Sequence, residues 1–148
     1  MKVIHTDGHH EYFLKLVKLL DEDLYKRYGE LQKTYNAYNK LDKINDVVII
    51  EKDGIAVACG AFKAYNTTKV ELKRLFVREA YRKQGLAKLI IQELETLAKE
   101  KGFLYMILET GDKQDEAIKL YHKLGYEVTD NYPPYVGNNN SLCMIKTL

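Results

Sequence analysis

The sequence predicts a mixed α/β domain in three layers, and three observations carry that expectation. β-rich runs at 47–51 and 55–63 flank Lys52-Asp53-Gly54, a strong hairpin signal. Apolar residues recur at helical spacing through 86–98. From there to the C-terminus strand-like and helix-like segments alternate, the order that builds a sheet covered by helices. At 148 residues the chain has the usual length of one domain, so residues 1–148 are expected to share a single core.

Phe13, Leu16, Val17, Leu20 and Leu24 form a stripe that predicts a first helix from residue 12. The next stretch, 25–39, is unusual. Tyr25, Tyr28, Tyr35 and Tyr38 stand among Gln32, Asn36 and Asn39 with little aliphatic content, which fits a second short helix or an ordered loop presenting polar aromatics. The hairpin strands follow, then a strand at 71–77. Leu86, Leu89, Ile90, Leu94, Leu97 and Ala98 mark an amphipathic helix, with Lys99 and Lys101 near its C-terminus and Gly102 as its stop. Residues 104–108 read as a buried strand. Ala117, Ile118, Leu120, Tyr121 and Leu124 make a short helix closed by Gly125. Strands at 126–129 and 141–148 end the chain around a Pro-Pro and Asn-rich loop.

Composition excludes several classes. With 46% apolar and 30% charged residues the chain is expected to be soluble and globular rather than disordered. No apolar run approaches the roughly 18 residues of a membrane span. The first residues hold no apolar stretch of the kind that opens a secretory signal. Cys59 and Cys143 lie far apart without C-x-x-C spacing, so no disulfide framework, no cysteine zinc site and a reducing, cytoplasmic compartment are expected. Both stand in apolar strand contexts and read as core filler rather than nucleophiles. His5, His9, His10 and His122 lack the cysteine or carboxylate pattern of a metal site, so no metal is expected.

The net charge of +2 hides an uneven distribution. Residues 63–88 hold eight basic side chains against two acidic ones, a local +6, while the flanks are slightly acidic. Such a segment concentrates anions and points to a phosphate-bearing ligand or an acidic surface.

Within that segment a strand ends, a basic loop follows and a helix starts at once: Val77-Arg78-Glu79-Ala80-Tyr81-Arg82-Lys83-Gln84-Gly85-Leu86-Ala87-Lys88. Amide N–H groups at a helix start, with the helix dipole, make an anion site. Gly85 would let a phosphate approach the backbone, and Arg82 and Lys83 would add charge-assisted bonds. Neither a Walker loop nor a dinucleotide fingerprint is present. Arg82-Lys83-Gln84-Gly85-Leu86-Ala87 resembles the [Q/R]-x-x-G-x-[G/A] acetyl-CoA loop of the GNAT superfamily of N-acetyltransferases. Leu108-Glu109-Thr110-Gly111, Gln114, Ala117, Ile118, Leu120-Tyr121 and Leu124-Gly125-Tyr126 resemble that superfamily's second block. Gln114 stands where asparagine is usual and Tyr126 where phenylalanine is usual.

The resemblance implies a GNAT-type three-layer domain: a central, mixed and strongly twisted sheet, helices on both faces, and a splayed parallel strand pair at 71–77 and 104–109. It implies acetyl-CoA as cofactor. The pyrophosphate would rest on the amides of Lys83, Gln84, Gly85, Leu86, Ala87 and Lys88, with Arg82 beside it. The pantetheine arm would pair with backbone groups of Leu75 and Val77, an oxyanion donor would lie near Phe76 or Val77, and Gln114 and Tyr121 would complete the cofactor set. Glu71 stands fourteen residues before Gly85. In the histone-acetyltransferase branch a catalytic glutamate has that separation, which makes Glu71 the candidate base. Tyr121 is the candidate general acid, because the superfamily places a tyrosine on this helix. A phenol of pKa about 10 can donate toward a leaving thiolate whose conjugate acid is near about 8.5.

The superfamily shapes its acceptor pocket from the early helices and the loop between the last strands. Tyr28, Gln32, Tyr35, Tyr132 and Tyr135 are the corresponding substrate-binding candidates, suited to a small polar amine. Asp21, Glu22, Asp23 and Glu30 favour a cationic acceptor. The expected function is acetyl-CoA-dependent N-acetyl transfer, by direct attack, to an amino acid, polyamine or similar amine. The alternatives are acetylation of a protein or peptide and, from another class, a non-catalytic coenzyme A-binding or nucleic-acid-binding module. No nucleic-acid motif and no membrane segment is found. Homodimers are common in the superfamily, and no motif here decides that point.

Overall fold

A computed structural model describes residues 1–29 and 44–148. The strands are β1 (Lys2–Thr6), β2 (Asp46–Lys52), β3 (Ile55–Ala64), β4 (Lys69–Val77), β5 (Tyr105–Gly111), β6 (Glu127–Thr129) and β7 (Ser141–Thr147). The helices among the described residues are α1 (Glu11–Tyr28), α2 (Leu86–Glu100) and α3 (Asp115–Lys123), with a 3-10 turn at Glu79–Tyr81. The strands make one seven-stranded mixed sheet in the order β1-β2-β3-β4-β5-β7-β6, and β4 and β5 are its parallel pair. The mixed α/β architecture is the one expected.

Two compact units are distinguished, Met1–Lys63 with Lys73–Leu94, and Ala64–Leu72 with Glu95–Leu148. In the first, Asp53 (φ 52) and Gly54 (φ 77) make the tight turn of the β2–β3 hairpin, the left-handed pair that such a two-residue loop needs. Phe13, Leu16 and Val17 of α1 pack with Val47, Ile49, Cys59 and Ala61 on one face of that hairpin. Gly60 points to the opposite face, where a Cβ would lie 2.6 Å from Ile90 Cγ2. The missing side chain thus lets α2 sit close on β3, and this unit carries helices on both faces. The His10 ring starts α1, its Nδ1 accepting from Tyr12 N at 3.1 Å.

Strand β1 answers to no sequence expectation. Its five residues lie at a sheet edge and mix apolar with polar types, so periodicity alone is silent. Pairing with β2, Lys2↔Glu51 through Thr6↔Val47, supplies the missing information.

In the second unit β5 pairs antiparallel with β7 along its whole length, from Tyr105↔Thr147 to Gly111↔Ser141. β4 pairs with β5 at Lys69↔Tyr105, Val70↔Met106 and Glu71↔Ile107. Tyr126 is fully buried and its hydroxyl donates to Glu95 Oε2 at 2.7 Å, while Lys146 Nζ donates to Glu95 Oε1 at 3.0 Å. The hydroxyl that distinguishes Tyr126 from phenylalanine is therefore paired inside the fold.

Candidate active site

The candidate anion cradle lies past the end of β4. Arg78 ties the strand down, its amide donating to Val57 O at 2.8 Å and its Nε to Ala56 O at 2.6 Å. Past the 3-10 turn, Lys83 (φ 63) and Gly85 (φ 79) take left-handed conformations that swing the chain into α2. Gly85 O accepts from Leu89 N at 3.1 Å, so the first helical bond starts there. The amides of Leu86, Ala87 and Lys88, in the first turn, then have no acceptor within the helix. A Cβ built on Gly85 would meet no protein atom within 4 Å, which leaves space before those donors. Lys83, Gln84 and Lys88 are exposed around it, and Gln84 Oε1 accepts from Lys52 Nζ at 3.0 Å. A phosphate fits this donor set.

Two arginines of the basic segment are otherwise engaged. Arg82 Nε donates to Val77 O at 2.9 Å, its guanidinium lies 5.6 Å from the Phe76 ring centre, and Nη2 is 3.6 Å from Asp23 Oδ2. Arg82 thus shapes the loop that carries the cradle. Arg74 Nη1 lies 2.8 Å from Asp21 Oδ1. Asp21 and Asp23, read from the sequence as attracting a cationic acceptor, are occupied by these arginines. Arg74 itself has φ 56 in mid-strand, and its carbonyl accepts from Cys59 Sγ at 3.3 Å. A left-handed residue in mid-strand departs from the extended backbone and re-aims the groups that follow. Among them, Leu75 turns toward the Gly60 face and Phe76 joins the α1 face.

The second unit gathers carboxylates and phenols. Glu71 is 8% exposed, and Tyr132 donates its hydroxyl to Glu71 Oε2 at 2.6 Å. The Tyr132 ring meets Tyr65 and Tyr135 edge-on, with centroids 5.1 and 5.5 Å away. Burial, reinforced by the Glu71 charge, pushes the Tyr132 phenol well above its ordinary value. Tyr135 is 1% exposed and packs behind Tyr132 rather than lining a surface. Tyr121, on α3, is buried with its ring 5.9 Å from Tyr126. Burial raises its phenol too, and Glu109 adds to the effect. Glu109 Oε2 accepts from Ser141 Oγ at 2.6 Å. The Cys143 thiol is pushed up to about 11, by burial first and also by Glu109 and Glu71. Gln114 stands at the start of α3, and its side chain makes no capping bond there.

The structure therefore brings Glu71 and Tyr132 together, two candidates from different roles. Tyr28 ends α1, but its side chain lies outside the described residues, as do Gln32 and Tyr35 entirely. Sequence reasoning did not select Glu109, Ser141 or Tyr65 as site residues. A charged residue in the apolar strand 104–109 was the available signal for Glu109. Among the described residues, no group of three or more His, Cys, Asp or Glu is placed to hold a metal, and no helix is long and apolar enough to cross a membrane.

Comparison with known proteins gives concordant matches. The model of a family described as Acetyltransferase (GNAT) family matches residues 13–126. The uncharacterized N-acetyltransferase YsnE of Bacillus subtilis is 31% identical over 100 residues, 66% of this chain and 66% of that protein. Two other curated relatives are matched over 52% and 35% of their lengths, so the chain spans only part of these proteins. A Klebsiella pneumoniae protein assigned as an acyl-CoA N-acyltransferase superposes with a TM-score of 0.82 at 26% identity, covering 99% of this chain and 97% of that one. The PaiA N-acetyltransferase of Thermoplasma acidophilum, in complex with coenzyme A, gives 0.73 at 18% identity with 100% of both chains covered. At that identity the likeness is one of fold.

Proposed function

We propose that this chain, which belongs to the acetyltransferase (GNAT) family, moves an acetyl group from acetyl-CoA to the amine of a small polar acceptor. The observation that carries the reading is the cradle: three first-turn amides behind Gly85, with open space where a Cβ would stand. It lies inside the segment that the family match covers, and the Thermoplasma protein of the same fold holds coenzyme A. Residues Lys83 to Lys88 would bind the pyrophosphate, and Leu75 and Val77 the pantetheine amides. Acetyl-CoA, when bound, would supply a thioester: its C–S bond breaks as the N–C bond to the amine forms, and the second N–H proton of the amine ends on the sulfur, by way of water, as free thiol.

An alkyl ammonium, pKa about 10.4, carries no lone pair at neutral pH, so a proton must leave it first. Glu71 receives that proton on its carboxylate, directly or through one water. Tyr121 would donate a hydrogen bond toward the departing sulfur. Its phenol is raised above the ordinary value, so full proton transfer to a thiolate is strongly uphill and donation without transfer is its contribution. Tyr132 bounds the acceptor side, with Tyr135 behind it. Cys59 and Cys143 are both buried free thiols, which suits a reducing, cytoplasmic setting.

A thermal-shift titration with acetyl-CoA, followed by a panel of amines and peptides with free thiol as readout, tests the reading. Acetyl-CoA should raise Tm with concentration, and one amine class should release thiol above background. The absence of both the shift and amine-dependent thiol would overturn it.

A further inference from the structure

We propose that Tyr132 is the positioning residue for Glu71: its hydroxyl fixes the carboxylate that takes the acceptor's proton, an inference that rests on the transfer reading above. The Oη to Oε2 distance of 2.6 Å is that of a charge-assisted O–H···O⁻ bond. A glutamate side chain otherwise samples many rotamers, and proton transfer needs one of them. A fixed donor removes that freedom before the acceptor arrives.

The donor is fixed from several directions. Its ring is held edge-on between Tyr65 and Tyr135. Its carbonyl accepts from Tyr135 N at 2.7 Å. The next residue is anchored by Tyr65, whose hydroxyl donates to Pro133 O at 2.9 Å. The preceding residue, Asn131, directs Nδ2 to the carbonyls of Tyr135, Asn138 and Ser141 at 3.2 to 3.3 Å. A segment without helix or strand is thereby tied to the β3–β4 connection and to the start of β7. All this fixing ends in a hydroxyl aimed at a carboxylate.

Other titratable and charged groups face or flank Glu71 beside Tyr132. Cys143 faces it from β7, and its thiol is raised to about 11, so it stays neutral at physiological pH. Glu109, acting on the same thiol from β5, is held by Ser141. Lys69 and Lys73 stand two residues to either side on β4. The Tyr132 phenol keeps its own proton, because burial and the Glu71 charge both raise it, so it donates without giving the proton up.

The test compares Tyr132→Phe, Glu71→Gln and the double variant in acetyl transfer from acetyl-CoA to spermidine, L-lysine and a lysine-containing peptide as probe amines. Tyr132→Phe should lower kcat about tenfold with KM for acetyl-CoA unchanged, the order of one hydrogen bond to a charged group. In the Glu71→Gln background it should add no further loss. Additive losses, or a loss confined to KM, overturn the positioning role. A Glu71→Gln variant with unaltered kcat and pH–rate profile overturns the base assignment instead. A second measurement needs no turnover. The carboxylate draws the Tyr132 ¹³Cζ resonance toward its phenolate position, and Glu71→Gln should return it toward that of a free phenol. A resonance that stays in place overturns the bond itself, even where Tyr132→Phe fails to fold.

Discussion

The Arg74 guanidinium, on a side chain only 7% exposed, lies 2.8 Å from the Asp21 carboxylate. Removing one partner of such a pair leaves a nearly buried charge without its counter-ion. Asp21 is 38% exposed, so water can partly replace it. Asp21→Ala should therefore destabilise by about 1–3 kcal/mol. Urea unfolding checks this, and a midpoint equal to that of the parent would assign the pair no net stabilisation.

Gly85→Ala separates ligand space from fold. The residue has φ 79, so an alanine is strained by about 1 kcal/mol. No protein atom lies within 4 Å of the new methyl, so the fold has no clash to relieve. Acetyl-CoA affinity should fall tenfold or more while Tm changes by only a few degrees. Calorimetric titration beside a melting curve reads both, and an unchanged Kd would exclude this cradle as the phosphate site.

Much of the scaffold was legible because it is local. Asp53-Gly54 specifies its own turn, and the stripe from Leu86 to Ala98 specifies its own helix. The strand end, glycine and helix start of the candidate cradle were legible for the same reason, since they are consecutive. What stayed hidden joins distant residues. Glu71 and Tyr132 are 61 residues apart, Arg74 and Asp21 are 53 apart, and Glu95 and Tyr126 are 31 apart. Periodicity reports which face a side chain takes, not which side chain of another element it meets. The basic segment shows the consequence: composition counts Arg74 and Arg82 as cations available to a ligand, while the fold engages both with carboxylates from α1.

Tyr121→Phe should slow turnover without weakening cofactor binding. The ring is buried and would remain so in phenylalanine, so packing beside Tyr126 is kept. In the proposed role only a donor to the leaving sulfur is lost, for which a fall in kcat of about 10- to 100-fold is expected. The phenol is raised by burial and by Glu109, so its ionisation does not set the alkaline limb of the parent's pH–rate profile. That limb should be the same in parent and variant. A limb that disappears in Tyr121→Phe would show that the phenol titrates in the working range.

Stability should fall on the alkaline side. Burial raises the phenols of Tyr121, Tyr126 and Tyr132 above the ordinary value, with neighbouring carboxylates adding to the shift. The Cys59 thiol is likewise pushed up to about 12 by burial. In the unfolded chain these groups ionise at about 9 for the thiol and about 10 for the phenols. Between those values and the raised ones the folded state binds more protons than the unfolded state, so stability drops as pH rises. The contribution is fully present below about pH 9 and is lost progressively above it, at about 1.4 kcal/mol per pH unit for each group in its window. Urea unfolding at pH 8 and pH 10.5 should show a lower midpoint at the higher pH, and replacing Tyr126 by phenylalanine should flatten the slope. Equal midpoints at the two pH values would mean that these phenols ionise as readily folded as unfolded.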